Sequence, residues 1–300
     1  MDIVEQEITG GALEGVLVRP AAGSRAGVLV LHGSYGPGTL ERCRLLAHAG
    51  LVAFGMRWYG GEGQAPGICE IPVETFSRGL DLLQSEGAER LSVLGLSKGA
   101  EAALWLSILD QRTAAAVALS PPSVTWANLG PGTDGRNRPW RSSWTWQGEP
   151  LPFVPRDETW EPEQREDGLV SLRSWYERSG ELYPDQYKAA AIPVETTTAQ
   201  LVLVAGGDDR TWPSHSSARA LRDRRLAAGL PTVLIERHAA GHRPRLPGEA
   251  PASPSTHLHY GGTDADDLAL GEAAWPHILD ALRGAETSPA SPRQDTSTGS

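Results

Sequence analysis

The chain has 300 residues, 40% of them hydrophobic and 21% charged, and is therefore long enough to bury a large core. The formal net charge of −10 gives no broad positive field, so we do not expect nucleic acid or an anionic membrane surface as a partner. No apolar run reaches the roughly 20 residues needed to cross a bilayer, and residues 1–3 do not begin a leader, which predicts a cytoplasmic protein acting on a small molecule.

The first predicted elements are two antiparallel strands, 3–7 and 13–18, separated by a Thr-Gly-Gly turn. Short apolar runs then alternate with stretches of helical spacing. Strands are predicted at 27–31, 51–56, 91–94, 115–119, 201–205 and 232–235, and helices at 40–49, 73–85, 98–109, 214–228 and 266–282. This alternation is typical of a mostly parallel α/β sheet with helices on both faces.

Residues 121–193 interrupt the alternation, and six tryptophans lie in this polar, proline-rich stretch. An insertion of this length after a core strand favours a lid or pocket wall. The alternative is a surface excursion whose tryptophans pack on one another. We predict a single domain over residues 1–284 and a disordered tail over 285–300, where large apolar residues are lacking.

The two cysteines, Cys43 and Cys69, are predicted to be free thiols, as is usual in the cytoplasm. Cys43 lies in a helical pattern, which favours a buried hydrophobic role over a catalytic one. Cys69 lies in a Gly/Pro-rich loop, and the alternative there is a thiol that approaches a site.

A Gly-x-Ser-x-Gly pattern joins the strand 91–94 to the helix 98–109. In this context the pattern predicts a nucleophile, Ser97, on a sharp strand-to-helix turn where Gly95 and Gly99 remove side chains that would collide. The helix N-terminus would direct the backbone N–H of Lys98 at a developing oxyanion. The alternative is an ordinary helix N-cap serine.

The loop after the strand 27–31 begins His32-Gly33-Ser34. A hydrolase of this pattern takes its second oxyanion donor from this loop, and by position we assign it to the N–H of Ser34. The side chain of His32 is interpreted as structural, bonding the loop.

The candidate acid follows the strand 201–205, in the run Gly206-Gly207-Asp208-Asp209. The Gly-x-x-Asp spacing places Asp209 beyond the tight turn and leaves Asp208 to cap or to contact solvent, although both are plausible turn residues.

The candidate base is His242, which follows a glycine in the loop after the strand 232–235. That loop can reach back across the sheet edge to Ser97. His238 lies too near the strand end and is the weaker candidate. His259, near a Gly-Gly pair, could line a pocket.

The order Ser, Asp, His along an alternating α/β chain predicts an α/β-hydrolase fold with a lid-like insertion. No His, Cys and Asp cluster has metal-ligand spacing, and no Gly-x-Gly-x-x-Gly follows the first strand, so we expect neither a metal nor any other cofactor.

Several strings resemble the catalytic domain of the acyl-CoA thioesterase and bile-acid-CoA:amino-acid N-acyltransferase family. They are GLSKGAEAALWL (95–106), WYGGEGQAPGICEIPVETFSRGLDLL (58–83), IPVETTTAQLVLVAGGDDRTWPS (192–214), AAGH (239–242) and HYGG (259–262). The resemblance implies that Ser97, Asp209 and His242 match the family's triad and that thioesters are the substrate class.

Two departures from the family pattern matter. The amino-acid transferases of the family carry cysteine as nucleophile, so Ser97 is similar to the thioesterase branch. Mammalian members also carry an N-terminal β-sandwich domain, whereas here only about 25 residues precede the first core strand. The chain is also similar to dienelactone hydrolase in the early strands and in the loop after them, but the nucleophile of that enzyme is typically cysteine, which disfavours a lactone substrate.

The leading hypothesis is hydrolysis of an acyl thioester, carried by coenzyme A or by an acyl carrier protein, through an acyl-serine intermediate. One alternative is transfer of the acyl group to an amine or alcohol, or hydrolysis of an ester or lactone, by the same triad. The other is a non-catalytic binding protein built on a hydrolase fold.

Overall fold

The computed structural model describes residues 1–10, 13–34, 39–137 and 140–284. The tail predicted to be disordered, 285–300, lies outside the described residues.

An eight-stranded sheet forms the centre of the molecule. Its strands are β1 (Ile3–Ile8), β2 (Glu14–Pro20), β3 (Ala26–Leu31), β4 (Val52–Arg57), β6 (Arg90–Leu96), β7 (Thr113–Leu119), β10 (Gln200–Gly206) and β11 (Thr232–Arg237). The order across the sheet is β1-β2-β4-β3-β6-β7-β10-β11. All eight strands were predicted, with ends that differ by no more than two residues.

The six strands from β4 to β11 in this order pair in parallel, whereas β1 and β2 add an antiparallel edge. Parallel strands need crossover connections, and the helical stretches of the sequence supply them. The carboxyl ends of the parallel strands therefore meet along one edge of the sheet, where the candidate residues follow β3, β6, β10 and β11.

The helices cover both faces of the sheet. They are α1 (Leu40–His48), α2 (Glu74–Ser85), α3 (Lys98–Leu109), α6 (Ser214–Ala227) and α7 (Asp264–Arg283). One buried cluster joins α2, α3 and α6 to one face, and a second joins α1 and α7 to the other. Adjacent strand residues such as Val93 and Leu94 belong to opposite clusters, which explains why the strands are continuously apolar.

The insertion 121–193 contains two strands, β8 (Trp144–Trp146) and β9 (Glu149–Pro150), and two helices, α4 (Arg173–Leu182) and α5 (Pro184–Ala189). With β5 (Ile71–Pro72) the two strands form a small three-stranded sheet. A third buried cluster lies here, built around Val124, Trp126 and Tyr176 and bordered by Trp212.

Some of the tryptophans do pack on one another, as the alternative interpretation expects: Trp160 stacks on Trp175 at 5.4 Å between ring centroids. Others contact the body of the protein, and Trp144 packs on Trp58 at 5.5 Å.

The helices of the described residues include none that is both long and apolar enough to cross a membrane. Cys43 and Cys69 are free and buried, and burial raises the pKa of Cys43 to about 12, as fits a structural thiol.

Candidate active site

Ser97 occupies the turn between β6 and α3. Its backbone has φ 58° and ψ −120°, a conformation that costs a non-glycine residue free energy of order 1–3 kcal/mol and that surrounding structure must hold in place. The residue is 7% exposed. The serine is therefore held in a strained turn rather than serving as a side-chain cap, since its side chain makes no capping hydrogen bond to α3.

The two flanking glycines permit this turn. A Cβ atom on Gly95 would overlap the carbonyl oxygen of Gly99, and one on Gly99 would lie 2.5 Å from the carbonyl oxygens of Leu31 and His32. Side chains at either position would push β6, α3 and the end of β3 apart. The steric role predicted for these glycines is confirmed.

His242 lies between Ser97 and Asp209. Its Nε2 is 2.9 Å from the Oγ of Ser97, and its Nδ1 is 2.8 Å from Oδ2 of Asp209. An ionised carboxylate only accepts hydrogen bonds, so Nδ1 donates to Asp209 and Nε2 is left to accept the serine proton. The structure thus brings the three predicted residues together in one hydrogen-bonded chain.

Asp209 is fully buried, and both of its carboxylate oxygens accept hydrogen bonds. Oδ1 accepts from the N–H of Thr211 at 2.8 Å and from that of Trp212 at 3.2 Å, and Oδ2 accepts from Ser214 Oγ at 2.5 Å. These bonds fix the carboxylate toward His242.

Asp208 turns away from His242. Its carboxylate pairs with Arg210 and accepts from the N–H of Gly262 at 2.9 Å. Burial raises the pKa of Asp208, but the bonds from Gly262 and Arg210 outweigh burial and hold it below its usual value. The choice between the two aspartates made from the Gly-x-x-Asp spacing agrees with this geometry.

Four glycines hold the loop of His242 against the end of β10. A Cβ on Gly206 would overlap the backbone of Gly241, one on Gly241 would overlap that of Gly261, and one on Gly262 would overlap Gly241. The loop also bonds to its neighbours, since His242 N–H donates to Tyr260 O at 2.9 Å. The AAGH and HYGG strings are therefore packed backbone to backbone.

The residue after β7, Ser120, supports the same loop. It is fully buried with φ 48°, its Oγ donates to the carbonyl oxygen of His242 at 2.8 Å, and its own carbonyl accepts from Trp212 Nε1. The rings of Trp212 and Tyr260 lie 5.7 and 5.9 Å from that of His242. Sequence reasoning missed Ser120, for which the strand-end position was the available signal.

Asp267, in the first turn of α7, also contacts the loop of His242. Its Oδ1 accepts from the N–H of Gly241 at 2.7 Å. Burial raises the pKa of Asp267 to about 6. This carboxyl group was also missed by sequence reasoning.

The two predicted oxyanion donors follow β3 and begin α3. A Cβ on Gly33 would lie 3.3 Å from the Cβ of Ser97, so the loop of Ser34 passes directly beside the serine. The carbonyl of Ser34 accepts from the hydroxyl of Tyr59. The first N–H groups of α3, including that of Lys98, have no acceptor within the helix.

His32 is buried, stacks on Trp58, and its Nδ1 donates to Gly33 O at 2.6 Å. Burial lowers the pKa of His32 and favours the neutral ring. The side chain bonds the loop, as predicted.

The side chain of Lys98 has a role that sequence reasoning did not assign. Its Nζ is fully buried and bonds to Glu101 at 2.9 Å, to Ser143 Oγ at 2.8 Å and to Trp126 O at 3.1 Å. Glu101 accepts from Trp144 Nε1 at 2.8 Å. The signal was available: two opposite charges at i, i+3 in a helix that is apolar all round must pair with each other.

Among the other histidines that were considered, His238 is exposed and His259 is half-buried. Within the described ranges no group of three or more His, Cys, Asp and Glu residues could hold a metal ion.

A cavity of about 530 Å³ lies near this arrangement, but its lining does not include Ser97, Asp209 or His242. It borders Leu96, the residue before Ser97, and Gly261 and Gly262 of the packed glycines. Charged side chains of both signs line it, among them Arg42, Arg243, Arg245, Glu41 and Asp264. A volume of this size suits part of a small-molecule substrate.

Solved structures from several organisms share this fold. A putative dienelactone hydrolase from Klebsiella pneumoniae is 14% identical with a TM-score of 0.57, covering 94% of this chain and 99% of its own. The esterase Pf2001 from Pyrococcus furiosus is 14% identical with a TM-score of 0.54, covering 94% and 92%. The α/β-hydrolase GrgF from a Penicillium species is 14% identical with a TM-score of 0.52, covering 95% and 99%. The fold is that of the α/β-hydrolases.

No curated protein matches the sequence significantly. The family model described as BAAT / acyl-CoA thioester hydrolase C terminal matches residues 71–284, which include Ser97, Asp209 and His242. Because the match spans more than half of the chain, the protein belongs to the BAAT / acyl-CoA thioester hydrolase C-terminal family.

Proposed function

We propose that the protein hydrolyses acyl thioesters, with Ser97 as nucleophile, His242 as general base and Asp209 as the residue that orients the histidine. The observation that carries the proposal is the 2.9 Å contact between Ser97 Oγ and His242 Nε2, made by a serine in a strained turn. The choice of a thioester rests on membership of the family.

In the acylation step, His242 Nε2 takes the hydroxyl proton while Ser97 Oγ forms a bond to the carbonyl carbon. The carbonyl oxygen becomes an oxyanion, and the backbone N–H groups of Ser34 and Lys98 donate to it. Asp209 stabilises the imidazolium through Nδ1. The carbon–sulfur bond then breaks, and the proton on Nε2 passes to the departing thiolate.

In the deacylation step, His242 takes a proton from water and the resulting hydroxide attacks the acyl-serine carbonyl. The same oxyanion donors act again, and the proton returns to Ser97 Oγ as the carboxylic acid leaves. Both steps need only groups of this chain and water.

We assign the 530 Å³ cavity to the thiol-bearing part of the substrate, because charged groups of both signs suit the polar arm of coenzyme A or of a carrier protein. The insertion 121–193 then forms the wall of the acyl pocket. A cytoplasmic location fits the two free cysteines.

The test is thiol release from short, medium, long-chain and aryl acyl-CoAs, with wild type beside Ser97→Ala. Removal of a triad nucleophile lowers the rate by roughly 10⁶-fold, so the variant defines the background. Carrier-bound acyl groups form a second panel. Release that disappears in the variant supports the proposal.

Labelling with a fluorophosphonate is the companion measurement. If Ser97 is labelled and no thioester releases thiol, the thioester assignment is wrong and esters, lactones and amine acceptors are tested next. If Ser97 is not labelled either, the serine mechanism itself is contradicted.

A further inference from the structure

Ser120 lies at the carboxyl end of β7, a strand that carries none of the three candidate catalytic residues. In the sheet β7 lies between β6, which leads into Ser97, and β10, which leads into Asp209. Because parallel strands end at the same edge, the residue after β7 lies between the nucleophile and the acid. Ser120 is fully buried, so its hydroxyl bonds to protein groups and not to solvent.

The hydroxyl of Ser120 bonds to the backbone of the base itself. Its Oγ donates to the carbonyl oxygen of His242 at 2.8 Å, while the N–H of His242 donates to Tyr260 O at 2.9 Å. Two different segments of the chain therefore hold the two backbone polar groups of the histidine. The imidazole is attached to this backbone through Cβ, so fixing the backbone fixes the point from which the ring reaches Ser97.

The end of β7 also bonds to the segments of the nucleophile and of the acid. The carbonyl oxygen of Leu119 accepts from the N–H of Ser97 at 2.9 Å. The carbonyl oxygen of Ser120 accepts from Trp212 Nε1 at 3.1 Å, and the N–H of Trp212 donates to Oδ1 of Asp209 at 3.2 Å. Two consecutive residues outside the triad thus connect all three of its members.

The backbone of Ser120 is one that glycine adopts more readily than serine. Its φ of 48° lies in the left-handed region, which is uncommon for residues that have a Cβ atom. Glycine would remove this strain but would leave the carbonyl of His242 without the hydroxyl. A serine in this strained conformation, bonded to the candidate base, therefore points to a use for the hydroxyl.

We propose that Ser120 is a positioning residue for the base, whose hydroxyl holds the backbone of His242 so that Nε2 stays within reach of Ser97. The inference rests on the proposed triad but not on the thioester as substrate. A displacement of about 1 Å in a catalytic group lowers a rate by up to about 100-fold, so a single bond to the backbone of the base is significant. Because the hydroxyl bonds to the carbonyl of His242, its effect on the rate passes through that residue.

The first experiment measures the rate at which a fluorophosphonate labels Ser97, a reaction that needs the nucleophile and the base but no thioester. We expect Ser120→Ala and Ser120→Gly to be labelled roughly 10- to 100-fold more slowly than wild type. Ser107→Ala is the matched control, because Ser107 is also buried and its Oγ donates to the carbonyl oxygen of Leu104, within α3, at 2.7 Å. The control should be labelled at the wild-type rate, and unchanged rates in both Ser120 variants would overturn the inference.

Thermal unfolding of the same variants separates positioning from a purely structural role. Glycine accommodates a positive φ without strain, so Ser120→Gly should have a higher Tm than Ser120→Ala. Ser120→Gly should nevertheless be labelled no faster than Ser120→Ala, because both lack the hydroxyl. If the labelling rates instead follow Tm, with Ser120→Gly close to wild type, Ser120 acts only through stability and the inference is wrong.

A double variant tests whether the effect passes through the base. In His242→Ala the backbone carbonyl at position 242 is retained, but no imidazole remains to be positioned. Adding Ser120→Ala should therefore change the residual labelling rate, measured at high probe concentration, by less than about twofold. A further fall as large as in the wild-type background would mean that Ser120 acts on Ser97 or on the fold, which contradicts the positioning role.

The proton on Nδ1 of His242, donated to Asp209 at 2.8 Å, gives a readout that needs no reaction. Its low-field NMR resonance is assigned by its absence in His242→Ala. We expect this resonance to shift or broaden in Ser120→Gly and to stay unchanged in Ser107→Ala. That result supports the inference even if no thioester is cleaved and the proposed function fails, whereas an unchanged resonance in Ser120→Gly contradicts it.

Discussion

Asp208 and Asp209 are adjacent in sequence but have different surroundings. Asp209 is buried and bonded to His242, whereas Asp208 contacts Arg210 and Gly262 at the surface of the turn. The direction in which each carboxylate leaves the turn therefore decides which of them can orient the histidine.

We expect Asp209→Asn to lower kcat by about 10³- to 10⁴-fold, because an amide in place of the carboxylate favours the wrong histidine tautomer. Asp208→Asn is the matched control and should lower kcat by less than about tenfold, since Asn retains an acceptor for the Gly262 N–H. Steady-state kinetics on the best thioester, with circular dichroism to verify folding, measures both. Equal losses would show that the assignment of the acid is wrong.

At the scale of elements, the Lys98–Glu101 pair joins α3 to the insertion. The pair bonds to Trp126, Ser143 and Trp144 while Lys98 directly follows Ser97. Burial lowers the pKa of Lys98 to about 8, and Glu101 opposes this effect. The start of the nucleophile helix and the pocket wall are thus held by the same buried charges.

Lys98→Met should lower the free energy of unfolding by about 3–5 kcal/mol, because Glu101 is left buried and unpaired. The double variant Lys98→Met/Glu101→Leu should recover part of that loss. The control is Arg44→Met, which removes an exposed ion pair to Glu5 and should change stability very little. Urea unfolding measures all three, and a double variant less stable than Lys98→Met would contradict the explanation.

The raised pKa of Asp267, at the start of α7, predicts that the stability of the protein depends on pH. Its folded-state pKa of about 6 lies above that of an unfolded aspartate, about 4, so the folded state binds more protons between these pH values. The wild type should therefore lose stability at this group as pH rises from 4 to 6.

Asp267→Asn keeps the acceptor for Gly241 N–H and removes the titration. We expect the two proteins to have similar free energies of unfolding near pH 4. At pH 7 the variant should be more stable than wild type by roughly 1–2 kcal/mol. Urea unfolding at pH 4, 5, 6 and 7 measures this difference. A difference that stays constant with pH would exclude Asp267 as the titrating group.

At the scale of the whole molecule, the insertion and the sheet offer separate spectroscopic probes. Six of the ten tryptophans lie in 121–193, so fluorescence reports mainly on the insertion, whereas far-ultraviolet circular dichroism reports mainly on the helices and the large sheet. Because buried contacts such as Trp144 with Trp58 join the two parts, we expect both signals to change in one guanidinium transition. An earlier fluorescence transition would mean that the insertion unfolds separately.

The central sheet could be predicted because its strands are buried on both faces and are therefore continuously apolar, as in 201–205. The order of the strands could not, since it depends on crossovers that leave no local pattern. The strands β8 and β9 have three and two residues, too short for a periodicity to be recognised.

The candidate triad could be predicted because Ser97, Asp209 and His242 each follow a predicted strand, and parallel strands end at one edge. Their catalytic roles stay a prediction. The contact of Asp267 with Gly241 could not be found in this way, because it results from packing between residues that are distant in the sequence.

The packed glycines of the His242 loop also provide a criterion for comparing sequences. Gly241 in AAGH and Gly261 in HYGG leave no room for side chains between their backbones, although about twenty residues separate them in the chain. Natural relatives that retain the serine motif but carry a larger residue at either glycine should have a displaced histidine. Reading the two glycines together would therefore separate relatives able to assemble the triad from those that keep only the fold.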